Sequence, residues 1–269
     1  MAPDDGRLRI GSHPANTWIS GETAVDISRG DPRAPRKVQV AAAPRDVVID
    51  LNRSAIVVVD MQNDFCADDG HLGRGGLDCS GARRLIAPIN RMLQAARPQQ
   101  VPVLWLSWAV RPDRLDMNPS MPHIHAADPH DPLLRRKGGW GAFAGTRGAE
   151  IADGLDVDGR DIHVLKHRFS GFVDTQLDSI LRNMGVTTLF FAGVATDICV
   201  LATLQDAVFL GYDAVMVTDC VTTSSPDFCV RAATYHVEEL LGFTCASEAL
   251  IEGMGRSPSS ARDGGRGVG

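Results

Sequence analysis

Short apolar runs and helical patterns alternate along the middle of the chain. "SAIVVVD" (54–60) is a β-branched run of the kind shown by a strand buried on both faces. "ARRLIAPINRMLQAAR" (82–97) then sets Leu85, Ile86, Ile89, Met92 and Leu93 along one side of a helix. "VPVLWLSW" (101–108) and "DIHVLK" (161–166) predict a second and a third strand. "DTQLDSILRNMG" (174–185) predicts a helix closed by Gly185. "TTLFFAG" (187–193) follows as a strand, then a helix from about Asp197 to Leu210 stopped by Gly211. "DAVMVTD" (213–219) is a further strand, and a last helix is expected near 226–240.

Strands and helices that alternate over short connections pair in parallel through right-handed crossovers. The predicted fold class is therefore α/β, a doubly wound, mostly parallel sheet with helices on both faces, three layers in all. One large domain is expected over residues 51–254. Residues 1–50 hold several Gly, Pro, Arg and Asp without sustained periodicity and read as an N-terminal arm, ordered against the body or a neighbouring subunit. The stretch from Gly255 to Gly269, "GRSPSSARDGGRGVG", lacks the apolar content to fold and is expected to be disordered.

Composition narrows the function classes. Of 269 residues, 44% are hydrophobic and 22% charged, enough apolar content for a sizeable core. A net charge of −6 argues against nucleic acid and anionic membranes as partners, since both attract basic surfaces. No run approaches the roughly eighteen apolar residues of a membrane span. The six cysteines are too sparse for a disulfide scaffold and form no CxxC pair. The polar first thirty residues hold no apolar leader core, so a reducing cytoplasm is the expected location. "GHLGRGG" (70–76) is neither a phosphate-binding loop of the Walker kind nor GxGxxG, and no cofactor is expected.

In sheets of this kind the ligand crevice lies beyond the carboxyl ends of the strands. Asp60 ends the first strand, Lys166 ends the third, and Cys199 follows "TTLFFAG" by one tight turn. Alone, each has an ordinary reading: a cap, a rim charge, a core filler. Together they bring an acid, a base and a thiol to one edge. A helix starting near Thr196 or Asp197 puts the thiol in its first turn, where free N–H groups and the positive helix end favour a thiolate. Lys166 nearby is expected to lower the thiol pKa further. The same N–H groups can hold the oxyanion formed when a thiolate attacks a carbonyl.

"VVVDMQNDF" (57–65), "VLKHRFSGF" (164–172) and "GVATDICV" (193–200) resemble the signature stretches of the isochorismatase-like cysteine hydrolases. That superfamily includes nicotinamidases, N-carbamoylsarcosine amidohydrolases and ureide hydrolases. The resemblance runs from about Ser54 to Glu252. It implies an Asp–Lys–Cys triad at Asp60, Lys166 and Cys199, a cis peptide at Val194–Ala195, and an oxyanion hole made by the N–H groups of Ala195 and Cys199. Residues 167–200 are most similar to the ureidoacrylate amidohydrolases of pyrimidine breakdown, and "YHVEELLGF" (235–243) resembles their C-terminal part.

The implied activity is hydrolysis of the C–N bond of a small ureido or amide substrate through an acyl-enzyme. Biuret or triuret, an N-carbamoyl amino acid and a larger antibiotic amide offer the same carbonyl. A non-catalytic binding or assembly protein on the same fold is the alternative of another class. Phe65 and Trp108 are either walls for a planar ureide or core aromatics. Gln62 and Asn63 either hydrogen-bond the substrate or satisfy turn backbone. His236 either reaches the crevice or lies on the surface. Nicotinamidases carry a metal with an Asp-x-His pattern after the second strand, where this chain reads "SWAVRPD" without a histidine. His123, His125 and His130 in "HIHAADPH" (123–130) have no regular spacing, so no metal is expected. The long arm makes a homo-oligomer the expected assembly.

Overall fold

The computed structural model describes residues 8–119 and 141–255; the histidine-bearing loop and the C-terminal tail lie outside them. Its organising feature is the alternation inside each buried run, which sorts side chains between two cores.

Strands are numbered along the chain. β1 (Leu8–His13), β2 (Asn16–Ser20) and β3 (Val25–Asp26) form a small antiparallel sheet, and β4 (Lys37–Val40) pairs with β5 (Val47–Asp50) as a hairpin. The central sheet contains β6 (Ser54–Val59), β7 (Val103–Trp108), β8 (Ile162–Lys166), β9 (Thr188–Val194), β10 (Asp213–Thr222) and β11 (Gly242–Cys245). All five neighbouring pairs are parallel, in the order β11-β10-β9-β6-β7-β8. The four residues of β11 carry a glycine and no periodic signal, so its pairing with β10 is invisible in the sequence.

Even-numbered residues of β6 (Ile56, Val58) and odd-numbered residues of β7 (Val103, Trp105) point to one core, where α1 (Ile86–Ala96) and α5 (Ser247–Gly255) cover them with Ile89, Met92, Leu250 and Met254. Ala55, Val57, Val59, Leu104 and Leu106 point to the other, covered by Leu177 and Leu181 of α2 (Leu177–Asn183) and Leu204 of α3 (Leu201–Phe209). Each such large apolar side chain, fully buried, contributes about 1.5–3 kcal/mol before entropy is counted. α4 (Asp227–His236) is mostly exposed and turns through Val237–Leu241 into β11. The single helix expected over 82–97 is two pieces, Ser80–Arg84 and α1. Pro88 has no N–H to continue a ladder from residue 84 but is tolerated in a new first turn.

The arm is more ordered than its composition indicates. Hairpin β4–β5 sends Val38, Val40 and Ile49 into the first core. Arg36 donates to the Gln99 carbonyl at 2.8 Å, and Asn16 Nδ2 to Asn183 Oδ1 at 2.8 Å, tying the arm to the body. The pairings Ile10↔Trp18, Leu8↔Ser20 and Ser20↔Val25 set Leu8, Ile10, Trp18 and Val25 on one face of the β1–β2–β3 sheet, and that face is exposed.

The sheet order reverses between β6 and β9, which opens a crevice beyond their carboxyl ends. Gly193 sits there with φ +110°, and a Cβ on it would lie 2.0 Å from the Val59 carbonyl oxygen. Only glycine lets the two strands approach so closely at the switch point. No helix among the described residues is long and apolar enough to cross a membrane.

Candidate active site

Each functional side chain is delivered by the end of a different strand. Asp60 follows β6 directly, in the left-handed region at φ 51°, which Asp tolerates better than most residues. Its N–H donates to the Leu106 carbonyl at 2.8 Å, holding the turn to β7. Lys166 ends β8 on the side of the second core, two residues after buried Val164. The Lys166 ammonium lies 2.8 Å from Asp60 Oδ2, with Asp60 1% exposed and Lys166 0%. It also donates to the Arg168 carbonyl at 3.2 Å. Between them, at the end of β7, the Trp108 ring lies 4.5 Å from the ammonium.

Cys199 arrives from the other side of the switch point. The peptide Val194–Ala195 is cis, and a single wide turn, Thr196–Val200, opens the helix that continues as α3. The Ala195 carbonyl accepts from the N–H groups of Ile198 and Val200, both at 3.1 Å, and passes over that of Cys199. The Cys199 thiol meets both the Asp60 carboxyl and the Lys166 ammonium, and its residue keeps 8% of its surface, more than either partner. The three residues therefore converge, with Cys199 the least buried of them as a residue.

The protonation state differs from the expectation based on a helix start alone. Burial pushes the Cys199 thiol above its ordinary value; the pull of Lys166 toward the thiolate is the smaller effect, and the Asp60 carboxylate opposes it. A wide first turn inside the protein does not offset that desolvation. Burial also raises the Asp60 carboxyl, against the lowering attraction of Lys166. For Lys166 burial is the largest single effect and works against the charge, but the attraction of Asp60 and of Cys199 together raises its pKa above the ordinary value. Asp60 and Lys166 are thus paired at 2.8 Å, and the thiol beside them is pushed toward its neutral form.

Thr203 was not among the expected site residues. Its hydroxyl donates to the Cys199 carbonyl at 2.6 Å and accepts the Gly171 N–H at 3.0 Å, entirely inside the protein. This one side chain ties the nucleophile turn to the loop after β8. In sequence it reads as one more residue on the buried face of α3; a polar residue four places after Cys199 was the available signal.

The remaining expected residues divide. Gln62 is committed to backbone: Nε2 donates to the carbonyls of Trp108 (2.8 Å) and Ala149 (2.6 Å), and Oε1 accepts the Trp108 N–H at 2.7 Å. Asn63 likewise donates to the Arg147 carbonyl and accepts the Asp153 N–H, both at 3.1 Å. Both amides bind loop backbone. Phe65 is half-buried and packs against both cores. Trp108 is 6% exposed, with one contact to Lys166 and another to Phe169, whose ring centroid lies 5.7 Å away. His236 does not join the site. It is exposed at the last turn of α4 beside Tyr235, and a helix leaving the carboxyl edge of β10 carries its far end to the opposite edge. His123, His125 and His130 lie outside the described residues; among those described, no group of three His, Cys, Asp or Glu could hold a metal ion.

An isochorismatase domain family model matches residues 54–249, which span every strand and helix that builds the site. The chain belongs to the isochorismatase family. The ureidoacrylate amidohydrolase RutB of Rhizobium rhizogenes is 35% identical over 228 residues, covering 84% of this chain and 92% of the relative. That of Agrobacterium fabrum is 36% identical over 205 residues, covering 75% and 90%. Among solved structures, a cysteine hydrolase from Pseudomonas syringae superposes with a TM-score of 0.66 at 26% identity, covering 77% of this chain and 94% of that one. N-carbamoylsarcosine amidase from Thermoplasma acidophilum gives 0.57 at 26% identity, covering 73% and 97%.

Replacing Thr203 by Val keeps the shape but leaves the Cys199 carbonyl and the Gly171 N–H without their shared partner. Stability should fall by about 1–3 kcal/mol in urea denaturation, and Thr203→Ser should restore most of it. Equal midpoints for Val and wild type would show that the bridge carries no weight.

Proposed function

We propose that this chain is a cysteine-dependent amidohydrolase that cleaves the C–N bond of a small ureido or amide substrate, with a ureidoacrylate-like ureide as the favoured class. The observation that carries this reading is the thiol of Cys199 set against a buried carboxylate–ammonium pair at the switch-point crevice. The names of the sequence relatives favour the ureide.

In this reading the neutral thiol gives its proton to Asp60 as sulfur attacks the substrate carbonyl and the C–S bond forms. Negative charge gathers on the carbonyl oxygen, where the N–H groups of Ala195 and Cys199 form the oxyanion hole and Lys166 adds positive charge. Collapse breaks the C–N bond while Asp60 returns the proton to the departing nitrogen, which leaves as ammonia or an amine. Water, deprotonated by Asp60, then opens the thioester and frees the thiol. From a ureide the released carbamate breaks down to carbon dioxide and ammonia or an amine. No cofactor enters these steps. A binding-only role gives no reason to hold an ion pair dry beside a thiol.

Six cysteines, all unpaired and five of them buried, suit a reducing compartment, and we place the protein in the cytoplasm. A homo-oligomer is supported by the exposed apolar face of the β1–β2–β3 sheet, which a second copy would cover. Light scattering should give a multiple of the chain mass for wild type and a smaller assembly for the double change Ile10→Glu with Trp18→Glu. A wild-type protein at the mass of one chain would remove this reading.

Ammonia release against a panel of ureidoacrylate, biuret, N-carbamoyl amino acids and simple amides should single out a ureide. Cys199→Ala should lower kcat by about 10⁴-fold or more with an unchanged melting transition. Turnover by that variant at the wild-type rate would refute the mechanism.

Asp60 must be ionised to take the proton, and burial raises its pKa. The acid limb of kcat/KM should therefore lie above the ordinary carboxylate range, with activity lost as pH falls through it. Lys166 lowers the Asp60 pKa, so Lys166→Met should move the limb higher still. A limb that stays in place in this variant would mean that Asp60 is not the base being titrated.

A further inference from the structure

Lys166 ends β8 and Asp60 ends β6, so the lysine stem must cross β7 to make its ion pair. Neighbouring strands lie about 4.8 Å apart, which makes this a reach over two strand spacings. The residue at the crossing point is Trp108, the register partner of Lys166 at the end of β7. Its ring centroid is 4.5 Å from the ammonium nitrogen. Nothing in that position is left loose. The Trp108 N–H and carbonyl are both gripped by the amide of Gln62, which is fully buried and also holds Ala149. Phe169 packs against the same ring, 5.7 Å between centroids and inclined by 43°.

An ammonium has three N–H donors and no acceptor. Two oxygen partners meet Lys166, Asp60 Oδ2 and the Arg168 carbonyl, and the third neighbour is the Cys199 sulfur, a weak acceptor. With no exposed surface on Lys166, water does not supply the rest of its solvation. A buried charge is tolerated only when the protein replaces that solvation. The face of an indole does so through its quadrupole, most strongly when the pair is desolvated.

Resting on the amidohydrolase reading, we infer that Trp108 is a positioning residue: its ring, set on a backbone that Gln62 grips and packed against Phe169, carries the Lys166 ammonium across β7 and keeps it charged and aimed at Asp60 and Cys199 before substrate arrives. Gln62 and Trp108 thereby act on the chemistry through Lys166.

The test compares Trp108→Phe and Trp108→Met with wild type and with Lys166→Met. The first readout is the rate of Cys199 alkylation by iodoacetamide against pH, which needs no substrate. The second is kcat and KM on whichever amide or ureide the enzyme turns over best. Phe retains a weaker π face, and Met fills an irregular space without one.

Alkylation should shift to higher pH in the order wild type, Phe, Met, with Lys166→Met the largest. kcat should fall about tenfold or more for Met and less for Phe, with KM changed by less than about threefold. If Trp108 instead served as a wall for the substrate, KM would rise in both Trp108 variants while their alkylation profiles matched wild type, and the inference would fail. A shift in Lys166→Met with none in Trp108→Phe would overturn it even if Trp108→Met does not fold. If alkylation follows the expected order but no compound is hydrolysed, the positioning role stands and the amidohydrolase reading is the one that falls.

Discussion

The buried pair between Asp60 and Lys166 sets the terms for the rest of the site. Two opposite charges, 2.8 Å apart and almost without solvent, are stable only as a pair, because each alone would leave an uncompensated charge in a dry interior. That requirement fixes the ends of β6 and β8 relative to each other and gives β7 the task of spanning them. It also shapes the third partner. A thiol packed beside these groups is desolvated along with them, which pushes it toward the neutral form.

The strand ends are kept in this arrangement by side chains that never meet a substrate in the proposed reaction. Gln62 extends the hydrogen bonding of the sheet by one pseudo-strand, bonding both main-chain groups of Trp108 while reaching the Ala149 loop. Asn63 holds the same loop from the next position. Thr203 joins the nucleophile turn to Gly171. Rigid support of this kind is what lets a reactive constellation hold its geometry in a largely preformed crevice. The motif "DMQND" is thus the site acid Asp60 followed by three side chains, Gln62, Asn63 and Asp64, that clamp loop backbone.

Several alternatives stay open in the sequence for one reason. In sequence, an amide that binds a loop and an amide that binds a ligand are the same residue, and only the approach of residues 147–153 tells them apart. His236 looked reachable because it lies on the helix after β10, but the direction of that helix sends its end away from the crevice. Hairpin β4–β5 lies in the arm expected to be ordered against the body, but its four-residue strands give too little periodicity to show that it sends Val38, Val40 and Ile49 into a core.

Local pattern was sufficient for whatever depends on neighbours along the chain. The β-branched runs, the helix faces and the closing glycines Gly185 and Gly211 follow from side-chain period and backbone freedom, and they place Asp60, Lys166 and Cys199 at strand ends. Which groups those three would meet was decided by packing between segments far apart along the chain. The protonation of the thiol, the partner of the Trp108 ring and the role of Gln62 all depend on burial and on contacts across β6, β7 and β8. Solvation and long-range approach are properties of the assembled sheet, and no stretch of residues carries them by itself.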